Sequence, residues 1–396
     1  MKVLKKLFIL LVLIVVIVTS YKYYNYLRIK NAKIEVTLKD NLDLVFMEDK
    51  KVSDYIESIN GKIVNDYVID STKIGKKKVS FSFINDDKIK VSYSYNVNVI
   101  DNMPPLVWLG DSYTIYKGDD SSLTDKIICV DNYDKNPNCV IEGEYDYNVP
   151  GSYNLVFKAT DSSLNETKKD FTLNVIEKNT SNNKSSDSKT YFSDVLKEYK
   201  KDNTKIGIDI SKWQENIDFK AIKDDGCEFV MIRVGYTKKG DNKIYEDEKF
   251  ESNIKGALEN NIPVGVYFYS NATSVNHAKK EANWVLSKIK KYDITLPVAF
   301  DWENFSNFND FNLSLFDLDL ISKEFTKTIN KKGYKTVLYG SKNYLNNMWI
   351  YNKLDVWLAH YTKETDYDKK YVMWQLCENG IIDGISDPVD IDIMYN

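Results

Sequence analysis

The residues best placed to do chemistry are Asp301 and Glu303, which end the apolar run Pro297-Val298-Ala299-Phe300 and are separated only by Trp302. A strand alternates its side chains, so the two carboxylates leave on one face with Cα atoms about 7 Å apart. Carboxylates at the end of a buried strand are costly to desolvate unless they are paired or used. A pair at this separation can bracket the oxygen and the anomeric carbon of a glycosidic bond. An isolated D-x-E is more ordinarily a helix cap beside a solvated Glu. The flanking sequence argues for the chemical reading.

Elimination points the same way. His277 and His360 are the only two histidines in 396 residues. A zinc hydrolase normally takes two or three His ligands, and a Ser or Cys hydrolase needs a His base. Chemistry run by carboxylates remains, with no metal or organic cofactor implied. The net charge of −4 gives no electrostatic case for nucleic acid. With 43% hydrophobic and 13% aromatic residues the chain can build packed cores, and its length allows two or three domains.

The elements that must position the pair begin near Thr204, where strands and helices alternate. Strands are expected at 206–210, 229–234, 263–269, 297–301, 336–339, 356–360, 372–375 and 389–393, and helices at 218–224, 247–260, 275–290 and 316–331. That predicts an α/β barrel with eight strands and fewer than eight helices, its site at the strand ends. The polar and aromatic clusters fall there: Gly207-Ile208-Asp209-Ile210-Ser211-Lys212-Trp213-Gln214, Arg233, Tyr267-Phe268-Tyr269-Ser270, Tyr339-Gly340-Ser341, Trp357-Leu358-Ala359-His360-Tyr361, Trp374-Gln375 and Pro388-Val389-Asp390-Ile391-Asp392. In this order, these motifs resemble glycoside hydrolase family 25, the muramidases of the Chalaropsis-lysozyme type.

The resemblance covers about 205–396 and implies that Asp209, Asp301, Glu303 and Asp390 line the site. Four acids in one pocket cannot all ionise cheaply, so at least one should hold its proton near neutral pH. Glu303, with the longer arm, is the expected general acid, with Asp301 stabilising positive charge and Asp209 and Asp390 tuning and positioning. Tyr267, Tyr269, Tyr339, Trp357 and Trp374 are either core packing or walls that stack on sugar rings. Asp392 follows Asp390 on the same strand face and is placed with these rings among the substrate-binding residues, its exact role open. Arg233 is expected to be a structural partner of the acids, His360 a hydrogen-bonding residue, His277 a surface residue, and Cys227 and Cys377 buried small hydrophobes.

The N-terminal half carries no such chemistry. Residues 1–30 read as a signal or membrane anchor: Lys2, Lys5 and Lys6 precede an apolar run over 7–18, followed by Tyr21, Tyr23, Tyr24 and Tyr26. The run is short for a span, but no small-residue cleavage site follows, so an uncleaved anchor is favoured. Residues 33–177 contain an internal repeat, with Gly75 and Gly151, Phe81 and Phe157, and Val99 and Val175 each 76 apart. Alternating strands punctuated by Gly, Asn and Asp predict two β-sandwiches, 31–101 and 102–177. The second resembles bacterial immunoglobulin-like surface domains in its Pro104-Pro105 entry, its Tyr147-Asn148-Val149-Pro150-Gly151-Ser152-Tyr153 turn and Ala159-Thr160-Asp161; the first is more diverged. Cys129 and Cys139 bracket a short polar loop and are expected to form a disulfide outside the cell. Residues 178–203 read as a polar linker, within which 191–201 has the helical spacing of a short leader onto the next domain, and 204–396 as the catalytic barrel.

The expected protein is therefore a cell-surface enzyme, tethered or secreted, whose barrel stands off the membrane on two spacers. The resemblance implies peptidoglycan glycan strands as substrate, cut between N-acetylmuramic acid and N-acetylglucosamine, with no obligate protein partner. A fragment starting at Thr204 should fold and act on soluble fragments. Two alternatives stand beside this reading: an inactive wall-glycan-binding or adhesion protein, and a different carbohydrate hydrolase of chitinase type. Retention of both Asp301 and Glu303 argues against the first. The lack of a longer acidic run before Asp301 argues against the second.

Overall fold

In a computed structural model of the chain, residues 2–178, 189–241 and 243–395 are described, so 179–188 of the expected linker lie outside them. The chain divides into two compact units, Met1–Met103 and Pro104–Asn396.

The first unit begins with a 29-residue helix, Lys2–Lys30. Within Lys5–Lys30 an 18-residue window has a mean hydropathy of 2.2, and none of that window is buried among the described residues. At 1.5 Å per residue the full helix is about 43 Å long, against about 30 Å for a bilayer's hydrocarbon core. The apolar run by itself is short for a span, but the helix continues through the tyrosine cluster and is long and apolar enough to cross a membrane.

A β module follows. Strands Gly61–Ile63, Gly75–Asn85 and Lys90–Ile100 are antiparallel neighbours, and Asp43–Val45 lies parallel to the last of them. Val36–Leu38 pairs separately with Ile56–Ile59. Phe81, Phe83, Val97 and Val99 fill the core, each alternating with an exposed neighbour as a sheet with one wet face requires.

The second unit opens with the same arrangement. Asn138–Glu142, Gly151–Thr160 and Glu166–Ile176 are antiparallel neighbours, Ser112–Tyr116 lies parallel to the last, and Leu106–Trp108 pairs separately with Ile128–Val130. Gly75 faces Val99 and Gly151 faces Val175, so the 76-residue offset is preserved in the strand register. Cys129 and Cys139 form the expected disulfide, Cα atoms 6.5 Å apart, and tie the two-stranded sheet to the four-stranded one.

The remainder is a closed barrel of eight strands, numbered here within the barrel: β1 Thr204–Ile210, β2 Val230–Thr237, β3 Val264–Tyr269, β4 Val298–Asp301, β5 Thr336–Ser341, β6 Val356–Ala359, β7 Met373–Ile381 and β8 Val389–Tyr395. The first seven run parallel in order, and β8 closes the barrel antiparallel to both β7 and β1. Each strand falls where the apolar runs predict it. Helices Phe219–Asp224, Phe250–Glu259, Val275–Ile289, Leu315–Asn330 and Lys342–Asn347 pack outside, fewer than eight among the described residues. One layer of apolar side chains, including Ile208, Val266 and Phe300, faces these helices. The alternate side chains, Met231, Ala299, Val337 and Met373, fill the barrel beneath its mouth. In β1, a Cβ on Gly207 would lie 2.4 Å from the Phe229 carbonyl oxygen, so glycine is what lets that backbone approach.

Two findings correct the picture of a free-standing barrel on a spacer. Thr190–Tyr191, at the end of the expected linker, adds to β7 as a parallel edge strand, and the helix Phe192–Tyr199, which the spacing over 191–201 predicts as a leader, sinks Phe192 and Val195 into the barrel's outer core. The second β module also packs on the barrel: Val130 belongs to that outer core, and Leu106, Trp108 and Ile128 lie against it. A fragment cut at Thr204 would expose both apolar surfaces, so the expectation that it folds alone is withdrawn. Cys227 and Cys377 are buried free thiols, as expected.

Candidate active site

The barrel mouth forms a cleft lined by Asp209, Arg233, Tyr267, Tyr269, Asp301, Glu303, Tyr339, Trp357, Tyr361, Gln375, Glu378 and Asp390. All four carboxylates named in the sequence meet there. Asp301 ends β4, and Glu303 starts the 3-10 turn Asn304–Phe311. Trp302 between them turns away, fully buried, its indole N–H donating to the Ala272 carbonyl at 3.3 Å. Three rings, Phe305, Phe308 and Phe311, pack edge-on to Trp302 at 4.9, 5.7 and 5.2 Å. The alternation that puts both acids on one face is thus fixed by what holds the residue between them.

Asp209 and Asp390 face each other across β1 and β8. Because β8 runs backwards, its first residues lie at the mouth, and Asp392 sits one layer deeper, opposite Gly207 and Gln375. Asp392 is completely buried and accepts a 2.7 Å hydrogen bond from the Trp357 indole. It lies beneath the cleft rather than along its wall, a correction to its expected substrate contact. Gln375 is the hub of the floor: its amide donates to Asp209 at 2.6 Å, and its carbonyl accepts from Tyr339 at 2.8 Å and Tyr361 at 3.1 Å.

Trp374 is a second correction. Its neighbour Gln375 points into the barrel, so alternation turns Trp374 outward, where its indole donates to the His360 carbonyl at 2.8 Å and its ring meets Tyr199 edge-on. Tyr267, Tyr269, Tyr339 and Trp357 do line the cleft, with Tyr267 and Tyr339 both edge-on to Trp357 at 6.0 and 4.8 Å.

Arg233 raises a residue that sequence reading missed. Its guanidinium is held by the fully buried Asp247 carboxylate at 2.7 Å through both Nε and an Nη, while its charge reaches Asp209 and Asp301 and favours their ionised forms. Only the fold brings Asp247 beneath β2; no local signal marks it. Glu378 and Tyr361 also line the cleft, Glu378 unmarked by any motif. The loop after β1 is pinned by its own residues: the Ser211 N–H donates to the Gln214 side-chain oxygen, and the Gln214 side-chain amide donates to the Pro388 carbonyl before β8. His277, expected at the surface, is instead nine-tenths buried, Nε2 3.5 Å from Glu281. The carboxylate of Glu281 accepts from Thr237 and Ser270, so this pair braces the barrel behind the cleft. His360 bonds Thr365 at 2.9 Å.

Burial raises the proton affinity of Asp209, Asp301, Glu303, Asp390 and Asp392. Glu303 is pushed up to about 7, by desolvation first and the Asp209 charge second. Asp301 rises well above the ordinary range through desolvation, Glu303 and Asp209, against the pull of Arg233. Asp390 rises to about 9 through desolvation and then Asp209, and Asp392 lies well above its usual value. Asp209, whose burial is offset by Gln375, Asp392 and Arg233, rises only to about 6. Asp209 is therefore the acid that keeps its charge most readily, and proton-holding is spread over the other four.

This arrangement makes stability depend on pH. The folded chain holds a proton on Asp390 that the unfolded chain releases above about pH 4, so stability falls as pH rises from about 4 towards 9. Asp390→Asn removes that term. Its melting midpoint relative to wild type should climb between pH 5 and pH 8 in paired thermal scans; parallel curves would mean that Asp390 is not held protonated.

Residues 208–385 match the model of the family described as glycosyl hydrolases family 25. An uncharacterised protein, YegX, of Escherichia coli O6:H1 is 29% identical over 192 residues, 47% of this chain and 68% of that one. An autolytic lysozyme of Clostridium acetobutylicum is 28% identical over 189 residues, 47% of this chain and 54% of its own. The structure of a family 25 glycosyl hydrolase from Bacillus anthracis superposes with a TM-score of 0.43 at 19% identity, covering 54% of this chain and 95% of that one.

Proposed function

We infer that this chain is a peptidoglycan muramidase, a glycoside hydrolase that cuts the β-1,4 bond between N-acetylmuramic acid and N-acetylglucosamine. The observation that carries the reading is the family 25 match over the barrel, whose mouth gathers Asp209, Asp301, Glu303 and Asp390 in one cleft. An acid pushed to about 7 is half-protonated near neutrality, so Glu303 can protonate the leaving oxygen and then take a proton from water. Asp301, 3-10 turn and strand end apart from Glu303 by one buried tryptophan, faces the same space. As positive charge builds on the sugar, that charge and Arg233 favour the ionised form of Asp301, which then orients the substrate N-acetyl group and offsets the charge on it. The substrate amide attacks the anomeric carbon, and the configuration is retained. Asp209, held by Gln375, supplies standing negative charge. Tyr267, Tyr269, Tyr339 and Trp357 offer ring faces and hydroxyls to the sugars.

In the same proposal the N-terminal helix is an anchor, which puts the catalytic domain at the outer face of a bacterial membrane or in the wall. The N-terminal modules are immunoglobulin-like domains. Mass spectrometry of muropeptides released by the whole soluble part of the chain, residues 31–396, tests the reaction. New reducing ends on muramic acid are expected, whereas reducing ends on glucosamine would reject the assigned bond.

A further inference from the structure

The two-stranded sheet of the second β module is apolar on both faces, and this is unlike its counterpart in the first module. Val107 and Cys129 face the module's own core. On the opposite face Leu106, Trp108, Ile128 and Val130 meet the barrel. In the first module the equivalent pair, Val36–Leu38 and Ile56–Ile59, sends Thr37, Glu57 and Ser58 to solvent. A sheet buried on both sides has a second partner, and here that partner is the segment that follows Glu303.

Two sets of contacts make the joint. The Trp108 ring lies 5.1 Å from Tyr344, Tyr344 stacks on Phe305 at 4.2 Å, and Phe305 packs edge-on against Trp302 at 4.9 Å. Trp302 separates Asp301 from Glu303, and the Phe305 amide donates back to the Glu303 carbonyl at 2.7 Å. Tyr344 is close enough to Glu303 to feel its charge. The loop inside the disulfide also clasps the far end of the same turn. The Asp131 and Asn132 carbonyls accept from the first two amides of the helix Leu315–Asn330, at 2.9 and 3.1 Å. Asn136 donates to Asn312 at 2.8 Å, and Lys135 pairs with Asp317 at 3.1 Å. The 3-10 turn is thus held at both ends by the module.

We propose that the second β module is a working part of the catalytic unit, with Trp108 and the disulfide-closed loop 130–138 acting as positioning residues for Glu303. This rests on the muramidase reading. Without the Trp108 ring, Tyr344 and Phe305 lose their backing, the 304–311 turn loosens, and water reaches Glu303. A displaced acid reduces turnover rather than ground-state binding, since an ångström of misplacement costs up to about 100-fold.

The test uses full-length protein and soluble glycan fragments. Trp108→Ala should lower kcat by about ten-fold or more with KM within about two-fold, and move the alkaline limb of the rate profile to lower pH. It should also speed amide exchange over residues 304–311. Trp108→Phe should restore most of each, and Val107→Ala, on the opposite face of the same sheet, should leave turnover and profile as they are. Lys135→Ala and Asn136→Ala, at the surface, should quicken the same exchange whatever the fate of Trp108→Ala. Unchanged turnover and exchange in Trp108→Ala would overturn the proposal, as would an equal loss in Val107→Ala or wild-type exchange in both loop variants. Wild-type protein inactive on the glycan would reject the muramidase reading alone, because the exchange comparison still decides the joint.

Discussion

Glu303→Gln lowers turnover on glycan strands by about 10²–10⁴-fold, the usual contribution of a general acid. Glutamine keeps the size and the hydrogen-bonding edge of the side chain but has no proton to deliver to the leaving oxygen and cannot accept one from water. KM should stay within a few-fold, because Tyr267, Tyr269, Tyr339 and Trp357 are untouched. The pH profile checks the assignment independently. With Glu303 pushed to about 7 by burial and Asp209, wild-type kcat/KM should fall above neutrality as the acid loses its proton. The residual activity of Glu303→Gln should lack that limb. A variant with near-wild-type turnover, or one that keeps the limb, would move the acid role elsewhere in the cleft, with Asp390 the next candidate.

Asp301→Asn is the second large effect, a loss of about 10²–10³-fold. Asp301 is buried, one carboxylate oxygen has no hydrogen-bond partner, and the nearest charges are Glu303, Asp209 and Arg233. An unpaired buried acceptor is costly, and it is well placed to receive the N–H of a substrate amide. Asparagine can still present a carbonyl there, but it cannot offset positive charge on the ring that forms when the amide attacks. The loss should appear in kcat. Proton NMR of the first-formed anomer should show retention, and inversion would sink substrate-assisted attack. A sugar trapped covalently on Asp301 would make it a direct nucleophile and leave the fold and substrate in place.

The barrel was legible strand by strand because its strands are buried on both faces, so each is a continuous apolar run that stops at a polar or aromatic cluster. Asp301 and Glu303 were legible because such a run rarely ends in acid without a use for it, whereas Asp209 and Asp390 were named only through the resemblance to family 25. The repeat was legible because a 76-residue offset in sequence becomes the same register in space. What the sequence could not determine depended on direction and on partners. A run of alternating residues does not say which way its strand points, so β8 was not seen to run backwards, and Asp392 was placed at the mouth instead of under it. Nor does alternation say which parity faces inward, and Trp374 and Gln375 were separated only when Gln375 met Asp209 across the barrel. Asp247 and Glu281 carry no local mark, since Asp247 holds Arg233, 14 residues away, and Glu281 accepts from Ser270 and Thr237, 11 and 44 residues away. The second module's place beside the catalytic turn had one sign in the sequence, the unbroken apolar runs Leu106–Leu109 and Ile127–Val130, where a sheet with one wet face would alternate. Only tertiary structure could decide what covers that second face, because hydrophobic burial is non-directional and names no partner.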